Sequence, residues 1–188
     1  MSYQRDYVES CVFDLLKQLN IPKKRIIFLH VKLRNFKKRV NASYEILSKA
    51  IITVFEDLFN PKTILVPTFT YSFTKSGIYH RAFSKSEVGR FSEEKFAPYR
   101  TRNPIFSVVD VHNYLSNFEN EINFNTAFDE NSLFHFLDEE DCIIVNFGLE
   151  KLISTQLHYV ERQMNVSYRY DKIFEGVVYH DEFNCENQ

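Results

Sequence analysis

The sequence predicts one α/β domain around a sheet that is mostly parallel or mixed. The prediction rests on two short apolar runs, "RIIFLH" at 25–30 and "TILVPTFTY" at 63–71, and on the helical pattern between them. A strand that is apolar throughout is covered on both faces. Strand–helix–strand order then joins parallel neighbours by a right-handed crossover. At 188 residues the chain can bury one core without a disulfide or a metal, and 1–188 reads as a single domain with a polar tail from about 181.

The elements are taken in chain order. Residues 4–19 place Val8, Cys11, Val12, Leu15, Leu16 and Leu19 on one helical face. "IPKK" ends that helix, the first apolar strand comes next, and "VKLRNFKKRV" reads as a basic loop. Asn41 is expected to cap a helix running to about Phe59, with Leu47, Ile51, Val54, Phe55 and Leu58 inward. "NPK" stops it before the second strand. From 72 to 105 the pattern weakens, with one helix expected near 86–96. A strand is expected at 106–112, a short helix at 130–139, a third buried strand in "CIIVNF" (142–147), a helix carrying "STQLHYVER" (154–162), and a final strand or hairpin over 168–180.

Composition excludes several classes of function. With 23 Lys and Arg against 25 Asp and Glu the net charge is −2, which gathers neither nucleic acid nor an anionic membrane. Only 4 Gly are present, and neither GxGxxG nor GxxxxGK[ST] occurs, so no glycine-rich phosphate cradle is expected. Cys11, Cys142 and Cys185 form no CxxC pair, so no metal site is expected, and their sparse, odd number suits a reducing cytosol. The N-terminus lacks the apolar core of a leader, and no apolar run reaches spanning length. The expected location is the cytoplasm.

The chemistry-bearing residues concentrate late in the chain. On a helix, His158 and Glu161 share a face three residues apart, as do Thr155, His158 and Arg162. That spacing suits a base with a carboxylate beside it, yet it is also the spacing of any solvated helix face, and alone it favours the latter. In "FDENS", Glu130 precedes Ser132, and Asp129 or Ser132 can cap the adjoining helix. His30 and Thr68 end the first two strands, at the edge where open parallel sheets meet ligands. His80, His112, His135 and His180 read as ordinary surface or core residues. A Ser-His-acid hydrolase built on Ser107 or Ser154 lacks a GxSxG-like elbow.

Six strings in order resemble the aminoglycoside 3-N-acetyltransferase family, whose antibiotic N-acetyltransferase fold is distinct from the commoner GNAT type. "IIFLHVKLRNF" resembles its LLVHSSLRSLG, "ILVPTFTYSF" its LVMPTFTYS, and "FSKSEVGRFSE" its S-x-VG-x-x-x-E stretch. "YRTRNPIFSV" resembles R-S-x-H-P-x-x-S-V, "ENSLFHFL" resembles [DE]-x-S-P-x-x-x-L, and "STQLHYVER" resembles T-x-L-H-x-x-E. The likeness runs from about residue 7 to 176. It implies a three-layer fold with helices on both faces of the sheet, and transfer of an acetyl group from acetyl-CoA to an amine of an amino sugar or aminoglycoside, with no metal.

By the same resemblance His158 would be the general base and Glu130 its carboxylate partner or a ligand of the acceptor. Glu161 and Asp129 would hold the cationic acceptor. His30, Lys32, Thr68, Ser107 and Thr155 would line the pantetheine and thioester, and the basic "KLRNFKKR" would meet CoA phosphates. Taking a proton from an ammonium is work for which an imidazole is suited, and a hydrogen-bonded carboxylate strengthens it. There are departures. The family's serine pair is Val31 and Lys32 here, its histidine before proline is Asn103, and the proline after "ENS" is Leu133. The chain also stops shortly after "FEG", where the antibiotic-modifying members continue. That shortness resembles members found among surface-polysaccharide genes, and it leaves open a homodimer that supplies the missing segment. It also leaves open a silent relative that binds CoA or a protein partner.

Overall fold

A computed structural model of the chain describes residues 2–81, 83–88, 99–179 and 185–187. Its main sheet has five strands in the order β4-β5-β2-β1-β6. β1 (Ile26–Val31) lies between β2 (Thr63–Pro67) and β6 (Ile143–Phe147), parallel to both. β5 (Val108–Asp110) runs antiparallel to β2, and β4 (Tyr99–Arg100) antiparallel to β5. The sheet is therefore mixed, and the expected βαβ unit is present.

The layers arise from the two-residue period of the strands. On one face Ile27, Leu29, Ile64 and Val66 meet α1 (Ser2–Leu16) and α3 (Tyr44–Phe59) through Val8, Val12, Ile51 and Phe55. On the other, Ile26, Phe28 and Leu65 pack with Leu133, Phe134 and Leu137 of α5 (Leu133–Glu139) and Tyr159 of α6 (Gln156–Gln163). This is the three-layer α/β arrangement that the sequence predicts. A smaller sheet, β3-β7-β8, joins Ile78–His80, Val177–Tyr179 and Cys185–Asn187. Tyr79 and Val178 pack there with Phe73 of the one-turn α4 (Phe73–Ser76).

Several boundaries differ from expectation, each for a local reason. The basic stretch is not a loop: Arg34–Val40 forms α2, anchored by buried Val40 and half-buried Phe36. Asn41 adopts a left-handed conformation (φ 48°) that closes α2, and Ser43 caps α3 by accepting from the Ile46 amide at 3.2 Å. Leu15 and Leu19 are exposed, so α1 buries a narrower stripe than its pattern suggested. The strand expected over 106–112 is three residues long and antiparallel. Within 168–180 only Val177–Tyr179 is a strand, and residues 185–187 of the expected polar tail pair with it. Residues 86–88 are not helical, and the rest of the helix expected near 86–96 falls on 89–96, outside the described residues. Among the described residues, no helix is long and apolar enough to cross a membrane.

Candidate active site

β1 and β2 end on the same edge of the sheet, and a cavity of about 470 Å³ opens there. His30 and Val31 of β1, Val66 and Pro67 of β2, and Phe69 just beyond form its floor. The segment from Leu149 to His158 forms a wall. That wall is built by the stretch of chain leaving β6. Gly148 turns the chain with φ +68°, so close to the Lys32 carbonyl that a Cβ there would collide with it. Asn146 then holds Ile153 from both sides, its amide donating to the Ile153 carbonyl at 3.0 Å and its oxygen accepting from the Ile153 amide at 2.9 Å. Thr155, buried, starts α6, and its carbonyl accepts from the His158 amide at 3.1 Å. Two bonds pin α6 to α5: Gln156 Nε2 donates to the Phe134 carbonyl at 2.8 Å, and Tyr159 meets His135 Nδ1 at 2.7 Å.

His158 thus projects from a fixed helix. The edge of Phe128 meets its ring, centroids 5.4 Å apart and planes at 80°. Its Nδ1 accepts from Arg169 Nη2 at 2.7 Å and lies 3.4 Å from Glu161 Oε2. Arg169 Nε donates to Glu161 at 2.6 Å, and the Tyr168 hydroxyl donates to it at 3.0 Å. Burial pushes the Glu161 carboxyl up, but the bonds from Arg169, Tyr168 and His158 outweigh it and hold Glu161 below the usual range. Glu161 and Arg169 in turn line a second, polar hollow of about 380 Å³ with Arg162, Tyr170 and Asp171. Arg162 bridges Asp129 and Asp171, binding the latter twice at 2.9 Å. One imidazole therefore stands between an apolar cavity and a charged hollow.

The other expected residues divide. His30 lines the cavity and is buried, with burial lowering its pKa to about 4. Thr155 lines it too. Thr68 and Ser107 do not: the Thr68 hydroxyl donates to Ser107 Oγ at 3.1 Å, and both residues serve Arg100, which donates to the Thr68 carbonyl at 2.7 Å and to Ser107 Oγ at 3.1 Å. Lys32 lies just past the end of β1, exposed. Asp129 is taken up by Arg162. Glu130, expected as the partner of His158 or as an acceptor ligand, is exposed, and the carboxylate nearest the imidazole is Glu161. Sequence reasoning missed Arg169 and Tyr168, which lie in irregular chain with no period to flag them, and Asn146, whose role depends on a loop that only the fold brings near.

A further cavity of about 400 Å³ lies toward the amino ends of β1 and β6, lined by Arg25, Phe28, Asp141 and Cys142. Arg25 is paired with Asp141 at 3.0 Å, and burial pushes the Cys142 thiol up to about 12, so no nucleophile is available there. Among the described residues, no group of three or more His, Cys, Asp or Glu side chains is arranged to hold a metal ion.

No protein-family model matches the chain, and no curated protein matches it by sequence. Solved structures do match. A room-temperature neutron/X-ray structure of sisomicin-bound AAC-VIa superposes with a TM-score of 0.68 at 14% identity, covering 96% of this chain and 73% of that one. A second structure of AAC-VIa bound to sisomicin superposes with a TM-score of 0.66 at 13% identity and the same coverage. At such identity the likeness shows the fold: the chain shares the architecture of AAC-VIa.

Proposed function

We propose that the chain is a CoA-dependent N-acyltransferase that moves an acetyl group from acetyl-CoA to an amine of an amino sugar. One observation carries this reading. His158 lines the cavity at the carboxyl ends of β1 and β2, while its Nδ1 accepts from Arg169 and has the Glu161 carboxylate 3.4 Å away, placed to take over that nitrogen when Arg169 turns aside. The shared architecture with AAC-VIa and the ordered motifs support it.

The apolar cavity suits the pantetheine arm and the acyl group. Exposed Arg34, Lys38 and Arg39 of α2, which comes soon after β1, supply cations for the phosphates of CoA. The polar hollow, with Glu161 and Asp171, suits the remaining hydroxyl and ammonium groups of the acceptor. In the reaction His158 takes a proton from the ammonium, and the freed nitrogen pair attacks the thioester carbon. The N–C bond forms first, giving a tetrahedral adduct whose nitrogen loses its second proton to solvent. The C–S bond then breaks, and the departing sulfur takes up the proton held on the imidazole, giving an amide and free CoA. Glu161 steadies the imidazolium formed on the way. It takes the place that the resemblance gave to Glu130, and Asp129 acts by orienting Arg162.

Incubating the protein with acetyl-CoA and a panel of aminoglycosides and amino-sugar nucleotides, with release of free thiol as the readout, tests the reading. Turnover on at least one acceptor is expected, falling by about two to four orders of magnitude in His158→Ala. If no acceptor gives a rate above that of His158→Ala, the reading is wrong.

A further inference from the structure

His30 sits near the carboxyl end of β1, 8% exposed, in the wall of the cavity that His158 also lines. Its Nε2 has no hydrogen-bond partner. Its ring neighbour is Phe28, centroids 5.2 Å apart, which offers it no acceptor. A buried polar nitrogen left unpaired costs free energy, and in the wall of a binding cavity a ligand can recover that cost. Thr68 and Ser107, at the ends of neighbouring strands, bind each other and Arg100, while Ser154 and Thr155 line the cavity from the α6 side. The two residues after His30, where the resembled family has serines, are Val31 and Lys32.

We infer that His30 is the donor that polarises the acyl carbonyl of the thioester held in this cavity. The inference rests on the acyl-transfer reading. Burial keeps the ring neutral at neutral pH, and a neutral imidazole carries one N–H donor. A carbonyl oxygen accepts that bond moderately, and the oxyanion that develops from it accepts more strongly, so the interaction favours the transition state. As the amine nitrogen bonds to the carbonyl carbon, the C=O π pair moves onto oxygen and the His30 N–H steadies it. The pair returns when the C–S bond breaks. His30 neither gains nor loses a proton in the cycle, which separates its role from that of His158. The two histidines thus divide the work, one buried and unpaired at Nε2, the other half-exposed beside Arg169 and Glu161.

Isotope-edited infrared spectroscopy of [1-13C]acetyl-CoA bound without acceptor tests this directly. The carbonyl stretch is expected to shift to lower frequency in the wild type, to return toward the free value in His30→Leu, and to keep part of the shift in His30→Gln, whose amide retains an N–H. His30→Leu is also expected to lower kcat by about 10²-fold, with the affinity for CoA, which lacks the carbonyl, changed less than about 2-fold. His30→Leu removes an unpaired buried nitrogen, so its melting temperature is expected to match or exceed that of the wild type; if it falls, His30→Gln decides. An identical stretch in wild type and variant, or equal loss of CoA and acetyl-CoA binding, overturns the inference and leaves the acyl-transfer reading standing. Failure of the wild type to bind either ligand sinks both.

Discussion

At the scale of single residues, the state of His158 is set by its neighbours. Because Arg169 donates to Nδ1, the neutral ring carries its proton on Nε2. A base needs a free pair on the nitrogen that Glu161 and Arg169 do not engage. Turning Arg169 away lets the Nδ1–H form and donate to Glu161, already 3.4 Å off. Arg169→Gln is therefore expected to convert His158 to the Nδ1–H tautomer, as read by 15N NMR, and to raise kcat/KM about threefold or more. An unchanged tautomer with a fall in rate would instead make Arg169 a support for catalysis. His30 makes a second residue-scale prediction. Its folded pKa of about 4 lies below the unfolded value of 6.5, so the unfolded chain binds the extra proton between those pH values. Above pH 6.5 the ring is neutral in both states and stability is at its full value. As pH falls toward 4 the unfolded chain takes up the proton that the buried ring refuses, and the fold loses roughly 3 kcal/mol. Urea unfolding should show that loss in the wild type and a flatter profile in His30→Leu. His158 was singled out by the motif, since its spacing from Glu161 alone favoured a solvated helix face. Glu161 was legible as a neighbour, while its hydrogen bond to the imidazole became visible only with Arg169 and Tyr168 folded back beside it.

At the scale of elements, the strands were easiest to read, because apolar runs buried on both faces leave few alternatives. The helices show where local signals compete. α2 has only Val40 fully buried, so no apolar stripe marks it within seven residues rich in Lys and Arg. Asn41 and Ser43 are both residue types that cap helices, and only the backbone decides which end each serves. Ser43→Ala should lower stability by about 1 kcal/mol, measured by urea denaturation, whereas Asn41→Ser should cost less through α3 than through the left-handed end of α2. Gly148→Ala should cost more than about 1 kcal/mol, since it combines a left-handed backbone with a collision at Lys32. It should also weaken acetyl-CoA binding, because the segment after Gly148 walls the cavity.

At the scale of the whole molecule, the three layers converge on one edge of the sheet, and a ligand there joins β1, β2, the β6–α6 segment and α6. Acetyl-CoA at 100 times its Kd should add about 2.7 kcal/mol to stability and raise the melting temperature by roughly 5–10 °C, checked by differential scanning calorimetry. The layering was readable because strands apolar throughout must be covered on both faces; which residue meets which layer became visible only in the fold. Strands were expected around β5 and β7, but their short length, the antiparallel direction of β5 and the pairing of the second sheet were not readable, because three-residue strands show no period and their partners are distant in the chain. The position of the imidazole between two separate recesses has a kinetic corollary. The two recesses have no lining residue in common, so filling one leaves the walls of the other in place. Initial-rate patterns should therefore intersect as for random addition, without a compulsory sequence, and a compound tethering both halves would have to bend around a single aromatic ring.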